Sequence, residues 1–217
     1  MPVVGAGKSL TSAIIMGGYT GSYSNDVESW NGSAWTEVGD LNAARSYLTG
    51  IGTQTAALCV GGSPDTANTE SWNGSTWTEV NNMNTAGDYM GGSSGTQTSA
   101  LVFGGEGTGD ALGNTESWNG SAWTEVADLN QGGYGSSGSG TSTSGIKITI
   151  QHPSAGSSKT VEQWNGSSWT EVNDLNTARQ AMGRAGTYTA ALGVGGGTPS
   201  ASALTEDWNG TNWVEVA

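Results

Sequence analysis

The sequence predicts an all-β fold, a five-bladed β-propeller with four antiparallel strands per blade. Three observations lead there. The phrase Trp-Asn-Gly-Ser-x-Trp-Thr-Glu-Val, or a close variant, recurs five times, with its first Trp at 30, 72, 118, 164 and 208. All ten tryptophans of the chain fall inside these copies. No apolar 3.6-residue period runs long enough for a helix. A fixed period of this length marks a repeat architecture, and the repeat is made of strands.

Blade two illustrates the unit. Tyr47 to Ile51 forms a short first strand, and Thr55 to Val60 a small, apolar second strand stopped by Gly61-Gly62. Thr69 to Trp72 is the third and Trp77 to Val80 the fourth. Asn73-Gly74 between the last two predicts a two-residue type I′ turn, because Asn followed by Gly best tolerates positive φ. Trp72 and Trp77 are an odd number of positions apart across the turn, which sets both indoles on one face. A sheet this small cannot bury both faces alone. Stacking such sheets around an axis buries them and leaves no long exposed edge. The indole pairs then fill the wedges between blades, each Trp burying on the order of 200 Å².

One domain spans residues 1–217, with blades at approximately 1–40, 41–82, 83–128, 129–174 and 175–217. With one Phe and 34% hydrophobic residues, a conventional core would be thin. Thirty-seven glycines recurring in register suit strands crowded near an axis better than they suit disorder.

The run Ala57-Leu58-Cys59-Val60-Gly61-Gly62, then Thr69 to Trp72, Trp77 to Val80 and Met83-Asn84-Thr85-Ala86, resembles a Kelch repeat. The resemblance covers the whole chain. It departs in placing Trp where Kelch repeats usually have Tyr, and in a shorter third-to-fourth strand loop. The near-identical copies also resemble the Kelch-like propellers of marine bacteriophages, especially cyanophages. That resemblance implies a virion-surface or extracellular location, in a tail fibre or appendage.

Met1 to Gly7 aligns with Tyr47 to Ile51 and reads as the first strand of blade one, without the basic start or apolar stretch of a secretory signal. Trp213 to Ala217 reads as the last strand. Every blade is then contiguous in sequence, and ring closure rests on blade-to-blade packing. Blade four departs from the others. Its inner strand gives way to Gly132 to Thr141, its second strand is Ile146 to Ile150, and Gln151-His152 stands where others have Gly-Gly.

The third-to-fourth turns hardly vary between copies, whereas the second-to-third and inter-blade connections do. In a propeller these two variable sets emerge on one face, where binding residues collect on a rigid scaffold. The expected ligand-binding residues there are Tyr19, Tyr23, Arg45, Tyr47, Asp88, Tyr89, Tyr134 and Arg179. Tyr47, Tyr89 and Tyr134 follow the inter-blade connector at matching places. Aromatic faces with Asn, Asp and Arg nearby suit carbohydrate, and repetition supplies avidity. The competing reading packs these tyrosines at the channel mouth.

Catalysis finds little support. There is one His (His152), on a loop, and one Cys (Cys59), in a small-residue strand that reads as packing. The repeated glutamates read as a structural feature of each blade rather than paired catalytic carboxylates. No Cys/His cluster suggests zinc. Asp40, Asn82, Asp128 and Asp174 read as turn caps, with calcium ligation as the competing reading. The Asn-Gly-Ser/Thr sequons at Asn31, Asn73, Asn119, Asn165 and Asn209 follow from the turn alone. A net charge of −13 argues against nucleic acid and anionic membrane as partners, and no run is long enough to span a membrane. The expectation is a non-enzymatic module without cofactor or metal, whose partners are host surface carbohydrate or other virion proteins, with homo-oligomers also open. A purely structural virion component is the first alternative, and a polysaccharide-active enzyme the second.

Overall fold

The computed structural model describes residues 4–89, 92–149, 151–152, 156–197 and 200–216. None of them is helical. Blade one comprises β1 (Val4–Ser9), β2 (Ser12–Tyr19), β3 (Tyr23–Trp30) and β4 (Trp35–Glu37). Blade two comprises β5 (Thr49–Thr53), β6 (Ala56–Val60), β7 (Thr69–Trp72) and β8 (Trp77–Val80). Blade three has β9 (Gly92–Thr96), β10 (Ser99–Phe103), a small hairpin β11 (Glu106–Gly107) and β12 (Asp110–Ala111), then β13 (Thr115–Trp118) and β14 (Trp123–Glu125). Blade four repeats that plan with β15 (Ser137–Gly140), β16 (Gly145–Ile148), the hairpin β17 (Gln151–His152) and β18 (Gly156–Ser157), then β19 (Val161–Trp164) and β20 (Trp169–Val172). Blade five is β21 (Gly183–Gly186), β22 (Ala191–Val194), β23 (Thr205–Trp208) and β24 (Trp213–Val216).

Each blade is one four-stranded antiparallel sheet, contiguous in sequence. The chain is a five-bladed β-propeller. Its inner strands line a central cavity of about 370 Å³, reached by Ala6, Ile51, Ser94, Ser139 and Arg184. Small residues are needed there. A Cβ on Gly138 would lie 2.9 Å from the Ser93 backbone nitrogen of the neighbouring inner strand.

The repeated phrase builds the outer hairpin, though not with the turn expected. Trp72 pairs directly with Trp77, so four residues form the loop, not two. Gly74 takes φ +94 while Asn73 does not go positive. Instead the Asn73 side-chain oxygen accepts from the Ser75 and Thr76 amides, both at 2.9 Å. The Asn thus closes the turn through its side chain, as Asx turns do. The odd spacing holds, and the Trp72 and Trp77 rings lie 5.2 Å apart on one face.

Blade four also differs from expectation, because its inner strand is present as β15. Glycine and serine suffice there, since ladder bonds and crowding, rather than side-chain burial, hold an inner strand. Its second strand ends at Ile148; Ile150 and Pro153 lie outside the described residues, as do Met1 to Val3 and Ala217.

Indole pairs fill four seams as predicted. Trp72 and Trp77 pack with Ile14, Met16 and Val27 of blade one. Trp118 and Trp123 pack with Leu58 and Val60 of blade two. Trp164 and Trp169 meet Leu101 and Phe103 of blade three, and Trp208 and Trp213 meet Ile146, Ile148 and Val161 of blade four. Blade one is the exception, with Trp35 44% exposed.

The glutamates before the turn clamp the same seams. Glu70 accepts from the Asn42 amide at 2.8 Å and its side chain at 2.7 Å. Glu116, Glu162 and Glu206 hold Asn84, Asn130 and Asn176 in the same way. Each is a buried carboxylate satisfied by the preceding connector, which ties blade to blade. Of the expected turn caps, Asn82 and Asp128 accept the amides of Thr69 and Thr115, at 3.1 and 3.3 Å.

Candidate ligand-binding face

The inter-blade connectors and the second-to-third strand loops meet on one face, joined by backbone bonds. Gly18 donates to the Arg45 carbonyl at 2.8 Å. Ser63 donates to Ser46 at 2.7 Å, and Asp88 and Glu106 exchange two bonds of 2.8 Å. The variable segments therefore form one continuous surface, anchored to the strands below.

Tyrosines dominate that surface. Tyr47 and Tyr89, from successive blades, stack with ring centroids 3.9 Å apart and planes 21° apart. Tyr134 of blade four continues the row, 6.0 Å from Tyr89. Tyr19 and Tyr23, in the blade-one loop, meet edge to face at 5.6 Å. Tyr19, Tyr23 and Tyr89 are exposed; Tyr47 and Tyr134 are half-buried. The Tyr23 hydroxyl and the Ser63 hydroxyl are 3.0 Å apart, and Ser63 in turn bonds the Asp88 carboxylate. That chain of contacts links the blade-one loop to the foot of the tyrosine row.

The turn that presents the row is strained. Tyr47 and Tyr89 sit at φ 53 and 43. Ala181 at φ 53 and Gly135 at φ 62 occupy the matching place in blades five and four, so left-handed backbone belongs to the repeat itself. Gly135 takes it freely, whereas a bulky side chain there costs roughly 1–2 kcal/mol. Tyr134 lies one residue earlier, in register with Asp88, and reaches the row from a different backbone position than expected.

Asp88 is buried beneath the row, and its carboxyl is pushed up to about 6. Burial is the main cause; Asp65 and Glu106 add to it, and the Ser63 hydroxyl opposes it. Asp65 is itself engaged, accepting the Thr108 amide at 2.7 Å across to the next blade.

Arg45 and Arg179 are placed elsewhere. Both are buried in seams, where Arg45 meets Glu70 at 2.6 Å and Arg179 meets Glu206 at 2.7 Å. Each also donates to two backbone carbonyls, Gly61 and Asn68 for Arg45, Gly195 and Leu204 for Arg179. Neither reaches the face from there, because a desolvated carboxylate and two carbonyls already hold each guanidinium. In blade four Lys147, from β16, replaces the arginine and reaches Glu162 at 3.2 Å. Burial lowers the Lys147 pKa, and the neighbouring Glu162 opposes that.

Ser63 and Asp65 join this surface without having been singled out. Their signal was present, since both lie in the loop Ser63 to Asn68 that varies between blades. Cys59 is buried and its thiol is pushed up to about 12 by desolvation, which leaves it a packing residue. Among the described residues, no group of three or more His, Cys, Asp and Glu is placed to hold a metal. No protein-family model matches this sequence, and no curated protein matches it.

Proposed function

We propose that this propeller is a binding module that holds carbohydrate on its variable face, with Tyr47, Tyr89 and Tyr134 as the platform. The observation that carries the reading is the tyrosine row itself. Three aromatic rings from three blades are brought together at an exposed surface, two of them on backbone that favours glycine. Apolar ring faces stack on the C–H faces of sugars, and phenol hydroxyls, Ser63 and exposed backbone groups supply hydrogen bonds. Tyr19 and Tyr23 extend the surface to blade one. Asp88 lies below it as support. Arg45 and Arg179 have no part in recognition in this reading. The repeats resemble Kelch repeats and the propellers of marine bacteriophages, and on that resemblance the module belongs on a virion surface, where the ligand is a host glycan.

A glycan array that includes bacterial surface polysaccharides tests this, with Tyr47→Ala and Tyr89→Ala beside the wild type. Binding by the wild type and its loss in both folded variants is the expected result. Folded wild-type protein that binds no glycan would overturn the reading in favour of attachment to another virion protein.

A further inference from the structure

The central cavity holds a cation that no carboxylate neutralises. Arg45, Lys147, Lys159 and Arg179 each meet an acidic side chain. Arg184, on β21, lines the cavity and makes no ion pair or hydrogen bond among the described residues. In a chain of net charge −13, a guanidinium left without a carboxylate is out of keeping with its surroundings. Its place in the repeat is exceptional too. Strand pairing sets Arg184 opposite Gly193, just as Gly5, Gly50, Ser93 and Gly138 stand opposite Ile15, Cys59, Val102 and Lys147. Four blades therefore give this inner-strand position glycine or serine, and blade five alone gives it an arginine. The small residues of the other four keep the cavity open around it. Water reaches Arg184, yet the surrounding ring desolvates it and lowers its pKa, with no carboxylate to oppose the shift. A guanidinium stays charged all the same.

We propose that the central cavity is a binding site for a small monocarboxylate, a sugar acid about the size of a hexuronate, held by Arg184. The planar guanidinium fork matches a carboxylate in a bidentate pair. One cation balances one negative charge, whereas phosphate and sulfate would bring further charge into an already acidic protein. Serines on the neighbouring inner strands suit the rest of such a ligand. Ser93 accepts from the Thr49 hydroxyl at 3.1 Å and keeps its own proton to donate. Ser94 donates to the Thr141 carbonyl at 2.8 Å, and Ser139 to the Gly186 carbonyl. Each of those two keeps a lone pair to accept from a ligand hydroxyl. The first strand of every blade is the end strand of its sheet, so its other ladder edge is paired by no strand. The cavity, about 370 Å³, lies at the low end of small-molecule sites. It admits one sugar ring rather than a length of polymer. The site does not rest on the carbohydrate reading of the variable face, because it uses none of the tyrosines.

Isothermal titration calorimetry tests the site with glucuronate as the probe and with glucose and inorganic phosphate beside it. The proteins are wild type, Arg184→Ser, Arg184→Gln and Tyr47→Ala. Arg184→Ser copies what Ser93 supplies in blade three, and Arg184→Gln keeps a polar side chain without the charge. Both should fold as the wild type does, which tryptophan fluorescence checks. The wild type is expected to bind glucuronate more tightly than glucose or phosphate, by roughly tenfold or more. Both Arg184 variants should lose that margin, and Tyr47→Ala should bind glucuronate as the wild type does. A folded wild type that does not bind glucuronate overturns the proposal, and so does phosphate that binds as tightly. Binding kept in both Arg184 variants and lost in Tyr47→Ala overturns it too, since the ligand would then sit on the variable face. Glucuronate bound through Arg184 by a protein that binds no array glycan would leave this site standing and remove the tyrosine platform alone.

Discussion

The indole N–H of Trp123 donates to the Thr69 hydroxyl at 3.1 Å across the seam between blades two and three. Trp169 does the same with Thr115 at 2.9 Å, between blades three and four. Blades one and four carry Val27 and Val161 at the register position of those threonines. The indole nitrogens that face them, on Trp77 and Trp213, have no partner. The repeats thus share one seam geometry but not one set of hydrogen bonds.

Val27→Thr should therefore stabilise the protein. Threonine has nearly the shape of valine, and its hydroxyl would meet a buried donor that is unpaired. A net gain of about 1 kcal/mol is expected. The reverse change, Thr69→Val, strands the Trp123 donor and should cost about 1–3 kcal/mol. Urea unfolding followed by tryptophan fluorescence reads both. A Val27→Thr variant less stable than wild type would show that the hydroxyl does not reach Trp77.

Arg45→Ala separates structure from recognition. It leaves Glu70 as a buried charge without its cation, which typically costs about 3–5 kcal/mol. Glycan binding by the fraction that remains folded should be unchanged, since Arg45 does not reach the variable face. Denaturant midpoints paired with binding isotherms check this. A variant of normal stability and lost binding would return Arg45 to the site.

Much of this fold could be read from the chain because the repeat states it five times. The Gly-Gly stops, the Asn-Gly hairpins and the paired tryptophans are local signals, and local signals survive without homologues. The turn type was legible too. Trp72 and Trp77 can pair directly only across four residues, which leaves Asn73 to cap with its side chain. The arginines were harder. A cation beside a loop tyrosine looks like a ligand contact until the blade folds over it. Arg45 and Arg179 do share a clue, in that each stands four residues after the connector leucine, Leu41 or Leu175. Blades three and four have Gly87 and Gly133 there, and only the structure reveals that Lys147 stands in for the arginine in blade four. The exposure of Trp35 was not legible either, because blade one carries the same indole pair as the others and only its surroundings differ.

Tyr47 tests whether the tyrosine row is retained at a cost. Its left-handed backbone favours glycine, as Gly135 at the matching place illustrates. Tyr47→Gly should be more stable than Tyr47→Ala by roughly 1–2 kcal/mol, since alanine keeps the strain and glycine removes it. Both lose the stack on Tyr89 and should lose binding alike. If the two variants unfolded at the same midpoint, the turn would have relaxed and the strain would not belong to it.

Asp88 gives the face a pH dependence whose sign follows from its environment. Its carboxyl titrates at about 6 in the folded chain against an ordinary 3.8. The folded state therefore holds this proton more tightly than the unfolded state does. Above about 6 the group is charged in both states, and folding bears the full cost of burying the charge. As pH falls from about 6 to 3.8 the folded carboxyl protonates first, so stability from this group rises, and below 3.8 the gain is complete. Thermal unfolding of wild type and Asp88→Asn across that window isolates the effect from the other carboxylates. The wild type should gain on the variant as the solution is acidified, and the variant should be the more stable of the two at neutral pH. Parallel curves would mean that Asp88 titrates normally and that water reaches it beneath the tyrosines.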